Sequence, residues 1–122
     1  MKKICVVIGT RPEAIKMAPV ILALQAKPND FEVNICSTGQ HTTMLEGAMA
    51  AFGLRPNVEL RVMKVGQSLA KLNSRLLNEL DTHFEAVRPD LVLVHGDTTS
   101  AMAGAQSAFY RHIEVGHVEA GL

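Results

Sequence analysis

Short runs rich in β-branched residues alternate along this chain with longer segments that have the apolar spacing of helices. Residues 3–8, 31–37, 91–95 and 113–118 are typical of strands, and residues 56–63 indicate a more exposed strand. Helical segments separate them, which gives the order β-α-β-α-β-α-β-α-β. Strands joined through helices pair in parallel, with right-handed crossovers. The pattern therefore predicts an α/β fold with a doubly wound, Rossmann-like parallel sheet.

The helical segments carry recognisable signals. The first, residues 12–26, begins with Pro12 and Glu13, which suit a helix N-terminus, and contains Pro19, which should bend or split it. Residues 41–53 predict a second helix that ends at a glycine.

Two further helices follow. The third is expected to begin near Gln67, and residues 98–112 predict the fourth, whose small residues allow close approach to the sheet. The third helix has an apolar stripe that consists of Leu69, Leu72, Leu76, Leu80, Phe84 and Val87.

Composition limits the classes of function. The 122 residues, 48% of them hydrophobic, suffice for one buried core. Twelve basic residues balance twelve acidic ones, so we expect no nucleic acid or anionic membrane as a partner. Cys5 and Cys36 lie in apolar strand-like runs and are too few for a secreted disulfide scaffold, so we expect a reduced, cytoplasmic protein. From residues 1–122 we expect neither a signal peptide nor a run long enough to span a bilayer.

Unusual polar clusters follow four of the predicted strands. They read GTRPE, TGQH, HGDTT and EAGL in chain order. An open parallel sheet binds its ligand at the carboxyl ends of its strands, near the point where the strand order reverses. The clusters therefore predict one ligand site at that edge.

A cationic pair follows the first strand. Gly9 permits a sharp turn, and the N-terminus of the next helix offers N–H groups to a phosphate. Arg11 and Lys16 would add charge-assisted bonds to a diphosphate. The alternative is a solvated Arg11 with Lys16 paired to Glu13. The glycines do not follow the G-x-G-x-x-G pattern, so NAD binding is disfavoured.

Two carboxylates follow the fourth and fifth strands. Asp97 is either a functional group or the N-cap of a helix that begins at Thr98. Glu119 is flanked by small residues that do not shield it. If the two strands are neighbours, both carboxylates face one cleft as a candidate acid and base, and their repulsion would raise the pKa of one of them.

Other polar residues have simpler interpretations. His95 and His117 could form a metal site with the two carboxylates, but their rings, inside strand runs, are better suited to packing or to orienting a carboxylate, and no metal site is expected. Gln40 and His41 are either a functional polar loop tip or an ordinary turn at the start of a helix.

These segments carry a resemblance. GTRPEAIKMAPV, TGQH, RPDLVLVHGDTTS and VGHVEAGL are similar, in this order, to the signature segments of the non-hydrolysing UDP-N-acetylglucosamine 2-epimerases. The resemblance implies two Rossmann-like domains that face each other across a cleft, the GT-B arrangement. Since the chain ends at Leu122 directly after a predicted strand, residues 1–122 are expected to be a truncated N-terminal domain, with the second domain absent.

The resemblance also implies an activity. Members of this family interconvert UDP-N-acetylglucosamine and UDP-N-acetylmannosamine without metal or nicotinamide, through elimination of UDP to a 2-acetamidoglucal and its re-addition. By position, Asp97 and Glu119 match the family's catalytic carboxylates, and Arg11 and Lys16 match its cationic loop. The family further implies a homodimer and a role in bacterial surface polysaccharides, while the fragment alone should be inactive.

Some details and alternatives stay open. In some bacterial members Gln40 and His41 match a loop that binds a second substrate molecule as an activator, but Thr43 and Gly66 depart from that pattern, which argues against allosteric control. The alternatives are a hydrolysing UDP-N-acetylglucosamine 2-epimerase, a GT-B glycosyltransferase domain and a nucleotide-sugar binding module.

Overall fold

The computed structural model describes residues 1–39, 42–62 and 64–119. The elements in chain order are β1 (Lys2–Ile8), α1 (Arg11–Gln25), β2 (Phe31–Ser37), α2 (Thr42–Ala51), β3 (Val58–Glu59), α3 (Leu69–Val87), β4 (Leu91–His95), α4 (Thr99–Tyr110) and β5 (Glu114–Val118). This confirms the alternation of strands and helices that the sequence predicts.

The five strands form one parallel sheet in the order β3-β2-β1-β4-β5. From β1 the chain builds outward to β3 on one side and then returns to add β4 and β5 on the other. The strand order therefore reverses between β1 and β4, and the doubly wound, Rossmann-like fold is confirmed. A crevice at the carboxyl ends of these two strands is where such a sheet binds its ligand.

Each face of the sheet has its own apolar core because neighbouring side chains of a strand point to opposite faces. Cys5 and Val7 of β1 pack with α3 and α4, whereas Val6 and Ile8 pack with α1 and α2. Strands covered on both faces read as continuous apolar runs, which is the pattern of β1.

Pro19 neither splits nor ends α1, which continues to Gln25. Ile15, whose carbonyl would accept the missing N–H, lies with Pro19 on the exposed side of the helix, where water can satisfy it. The expected split is therefore wrong.

Two other boundaries differ from expectation. The third strand contains only Val58–Glu59, and the chain turns at Arg61, which has the left-handed φ of 52°. Helix α3 begins at Leu69 after an N-cap at Ser68, and Leu69 is 74% exposed. Its buried stripe therefore starts at Leu72 instead.

Among the ranges described above, no helix is both long enough and apolar enough to cross a membrane.

Candidate active site

A groove of about 1180 Å³ lies at the carboxyl ends of β1, β4 and β5. One wall is apolar and comes from α4, with Met102, Ala105 and Phe109. The polar side chains of the lining are Thr10, Glu13, His95, Asp97, Thr98, Gln106, His117 and Glu119. The groove is thus located where the strand order reverses, as the polar clusters in the sequence predict.

Pairing of β4 with β5 brings the two candidate carboxylates to the same groove. Gly96 donates its N–H to the Val118 carbonyl at 2.9 Å, and the His117 ring donates through Nε2 to the Gly96 carbonyl at 2.6 Å. Asp97 and Glu119 directly follow Gly96 and Val118, and both line the groove. The expectation that these residues face one cleft from neighbouring strands is confirmed.

Asp97 does not cap the helix that follows it. The N-cap is Thr98, whose hydroxyl accepts the Ala101 N–H at 3.1 Å, and α4 begins at Thr99. Asp97 itself is exposed to the groove. The capping interpretation of Asp97 is therefore wrong, which leaves its carboxylate available for another role.

Glu119 has a partner on each carboxylate oxygen. The buried His95 donates through Nε2 to Oε2 at 2.9 Å, and the Lys16 ammonium lies 3.1 Å from Oε1. Lys16, and to a lesser extent His95, lower the pKa of Glu119 below its ordinary value. Glu119 is therefore not a carboxylate whose pKa repulsion raises, because its nearest groups favour the charged form.

The backbone of Glu119 is strained. Its φ of 56° lies in the left-handed region, which is unfavourable for a residue with a side chain. Glycine would relieve that strain but would remove the carboxylate. Strained residues of this kind cluster at functional sites, and from this conformation the Glu119 side chain contacts His95 and Lys16.

The arrangement of the cationic pair agrees with the second sequence-based alternative for the exposed Arg11 but not for Lys16, and binding of a diphosphate by either residue stays a prediction. Lys16 pairs with Glu119 and not with Glu13. Arg11 is exposed at the first position of α1, beside the groove-lining Thr10. The Gly9 N–H donates to Glu13 at 3.0 Å.

Glu13 is a site residue that sequence reasoning assigned only to the helix N-terminus. It is 1% exposed and accepts hydrogen bonds from the backbone of Gly9 and from the hydroxyls of Thr10 and Thr98. The available signal was the Thr10-x-x-Glu13 spacing of a capping box. That spacing does not reveal the third bond, because Thr98 is far away in sequence.

Comparison with known proteins decides the family. The family model described as UDP-N-acetylglucosamine 2-epimerase matches residues 22–122. The chain belongs to the UDP-N-acetylglucosamine 2-epimerase family. It is 49% identical over 120 residues to the UDP-N-acetylglucosamine 2-epimerase of Bacillus subtilis and 48% identical over 120 residues to that of Escherichia coli.

A solved structure agrees with this assignment to the epimerase family. The crystal structure of UDP-GlcNAc 2-epimerase from Neisseria meningitidis bound to UDP-GlcNAc has a TM-score of 0.93 and 48% identity, and covers 98% of this chain and 32% of that one. The Bacillus and Escherichia relatives align with 98% of this chain, which covers 31% and 32% of their lengths. The chain therefore spans about a third of the epimerases that it matches.

The two histidines and the Gln40 loop of this epimerase-family chain can be compared with the sequence-based interpretations. His95 orients a carboxylate, as one interpretation of the sequence suggested, and His117 holds the Gly96 carbonyl. Within the described ranges, no group of three or more His, Cys, Asp or Glu side chains could hold a metal ion. Gln40 and His41 lie outside the described residues, so their proposed loop role stays a prediction.

Proposed function

We propose that the full-length protein interconverts UDP-N-acetylglucosamine and UDP-N-acetylmannosamine. The observation that carries this proposal is the meeting of Asp97 and Glu119 at one groove in a chain of the epimerase family. The relative from Neisseria meningitidis, whose structure holds UDP-GlcNAc, supports the same substrate class.

The reaction requires groups that move a proton at C2 of the sugar. That carbon carries no carbonyl, so its proton is weakly acidic, and elimination offers a route. A base removes the C2 proton, a double bond forms between C1 and C2, and the C1–O electron pair leaves with UDP. In the reverse step UDP adds to C1 while an acid delivers a proton to the opposite face of C2. Asp97 and Glu119 are our candidates for these acid and base roles.

Lys16 and Arg11 are the candidates for stabilising the departing diphosphate. Charge-assisted bonds from an ammonium and a guanidinium suit a diphosphate, whose negative charge increases as the C1–O bond breaks. Lys16 is paired with Glu119 in the structure described above. If the diphosphate takes Lys16, Glu119 loses the group that most lowers its pKa and becomes a stronger base when the substrate is bound.

The remaining parts of the proposal concern the whole protein. We expect a second Rossmann-like domain to close the groove, since the chain spans only about a third of its relatives. We expect a homodimer in the cytoplasm, where thiols such as those of the buried Cys5 and Cys36 stay reduced.

The test is a product assay on the purified full-length protein. We expect UDP-N-acetylglucosamine to give UDP-N-acetylmannosamine, with the sugar still attached to UDP. Release of free N-acetylmannosamine with UDP would favour the hydrolysing alternative. Transfer of the sugar to an acceptor would indicate a glycosyltransferase, and binding without turnover a nucleotide-sugar binding module.

A further inference from the structure

Glu13 connects two loops that are distant in sequence. Its Oε2 accepts the Gly9 N–H at 3.0 Å and the Thr10 hydroxyl at 2.7 Å, both from the loop after β1. Its Oε1 accepts the Thr98 hydroxyl at 2.9 Å, from the loop after β4. We call this group of hydrogen bonds the Glu13 clasp. It crosses the point in the sheet where the strand order reverses.

Helix capping alone does not explain the clasp. Thr10 occupies the N-cap position of α1 with an extended backbone, yet its side chain makes no capping bond and donates to Glu13 instead. A buried carboxylate loses its hydration, which is unfavourable unless hydrogen bonds replace the water. The Thr10 hydroxyl thus binds the Glu13 carboxylate instead of capping α1, and that carboxylate lies between two loops. Such a departure from the usual side-chain capping of a helix N-terminus is expected at functional sites.

The clasp acts on the residue that we assign to chemistry. Asp97 directly precedes Thr98, and the Thr98 hydroxyl donates to Glu13 while accepting the Ala101 N–H. These two bonds restrict the Thr98 side chain and, with it, the backbone beside Asp97. Close packing adds to it, because a Cβ at Gly9 would lie 2.8 Å from the Ser100 Cβ on α4.

We infer that Glu13 is a positioning residue that holds the loop carrying Asp97 in its place at the groove by binding Thr98. This inference rests on the function proposed above. Glu13 does not need to touch the substrate: it is buried and its oxygens are occupied by the two loops. Positioning matters because a misplacement of about 1 Å can cost about a hundredfold in rate.

The first experiment replaces Glu13 by Gln in the full-length protein. The amide keeps the volume, but an NH₂ group replaces one carboxylate oxygen, so the charge-assisted bonds to both loops become neutral, and Thr98 can keep its contact only by accepting instead of donating. We expect kcat to fall about tenfold to a hundredfold while the Kd for UDP changes less than about threefold. Ile21→Val, a core change on the same helix, is the control for lost stability and should keep kcat.

The second experiment changes Thr98, the partner of Glu13 in the clasp. It tests the same contact if Glu13→Gln does not fold. Thr98→Ser keeps the hydroxyl and should keep kcat, whereas Thr98→Val should lower it about as much as Glu13→Gln. The double variant Glu13→Gln/Thr98→Val should lose little more kcat than the worse single variant, because both changes act on the same contact between Glu13 and Thr98. Losses in kcat that multiply would overturn the inference.

Wild-type turnover separates the two proposals. An inactive wild-type protein would contradict the proposed epimerase function. An active wild type with unchanged kcat in Glu13→Gln and Thr98→Val would leave the function standing and overturn the positioning role alone. A lower melting temperature with wild-type kcat would likewise make Glu13 structural only.

Discussion

At the residue scale, Glu119 is held by two partners of different burial. His95 is buried and orients Oε2, while Lys16 is on the exposed side and neutralises Oε1. Exposed ion pairs contribute little to stability. The contact therefore matters more for the protonation of Glu119 than for stability, because the Lys16 ammonium favours the deprotonated carboxylate.

This charge predicts a pH effect in the full-length enzyme. Lys16 lowers the pKa of Glu119, so removing the ammonium in Lys16→Met should raise that pKa. If deprotonated Glu119 is needed, the acid limb of the kcat/KM profile should move to higher pH in Lys16→Met. Lys16→Arg keeps the charge and serves as the control, with the limb near its wild-type position. An acid limb that stays in place in Lys16→Met would contradict the pairing.

Asp97 gives a second prediction at this scale. Asp97→Asn should leave the melting temperature nearly unchanged because Thr98 caps α4. Turnover should fall about 10²- to 10⁴-fold if Asp97 transfers a proton. The matched control is Asp90→Asn, the same chemical change at the amino end of β4, away from the groove. There the Asp90 carboxylate accepts the Lys3 N–H. Equal turnover in the two variants would exclude Asp97 from the chemistry.

Sequence reasoning reached some of these residues and not others. Asp97 and Glu119 could be expected at one groove because strand ends are easy to recognise and neighbouring strands end together. Glu13 could not be recognised as a link between loops, since its burial depends on Thr98, which arrives 85 residues later in the chain. The Lys16 pair with Glu119 depends on a contact across 103 residues. Such long-range contacts follow from the fold and not from local spacing.

At the element scale, α4 lies close to the loop after β1. An added Cβ at Gly9 would lie 2.8 Å from Thr38 Oγ1 and would also press on the Ser100 hydroxyl. Thr38 and Ser100 are themselves joined by a hydrogen bond of 3.0 Å between their hydroxyls. Gly9 is therefore required for the close approach of β1, β2 and α4 beneath the groove.

This packing predicts opposite effects for two glycine substitutions. Gly9→Ala should lower the free energy of unfolding by about 1 to 3 kcal/mol because it overpacks a buried contact. Gly47→Ala is the control: it lies within α2, its added Cβ would meet nothing within 4 Å, and alanine should stabilise the helix by about 0.5 to 1 kcal/mol. Denaturant unfolding followed by circular dichroism measures both, and equal stabilities would contradict the packing argument.

The elements were predicted well where periodicity is strong and less well where context decides. Strands β1 and β4 are buried on both faces and stand out as continuous apolar runs. The prediction extended the third strand too far because regular pairing ends at Glu59. Leu60 and Val62 still donate to the carbonyls of Ser37 and Thr38, but Arg61 between them has a left-handed φ. Leu69 matches the helical spacing but lies in the first turn of α3, beyond the edge of the core.

At the scale of the whole molecule, the groove is partly open to solvent. The polar residues of its lining belong to this chain. We expect the second domain to supply the wall that encloses the substrate. Elimination of UDP needs an environment that excludes water from the sugar. The chain of 122 residues by itself should therefore form no UDP-N-acetylmannosamine above a boiled control. Product formation by this chain would show that the second domain is dispensable.

The most direct test of the account is incorporation of solvent deuterium at C2. Full-length protein is incubated with UDP-N-acetylglucosamine in deuterated water, and the products are analysed by NMR and mass spectrometry. Removal of the C2 proton and its replacement from solvent predict UDP-N-acetylmannosamine that carries deuterium at C2, with slower incorporation in Asp97→Asn and Glu119→Gln. Product that carries no deuterium at C2, or full-rate exchange in both variants, would contradict the proposed elimination by these two carboxylates.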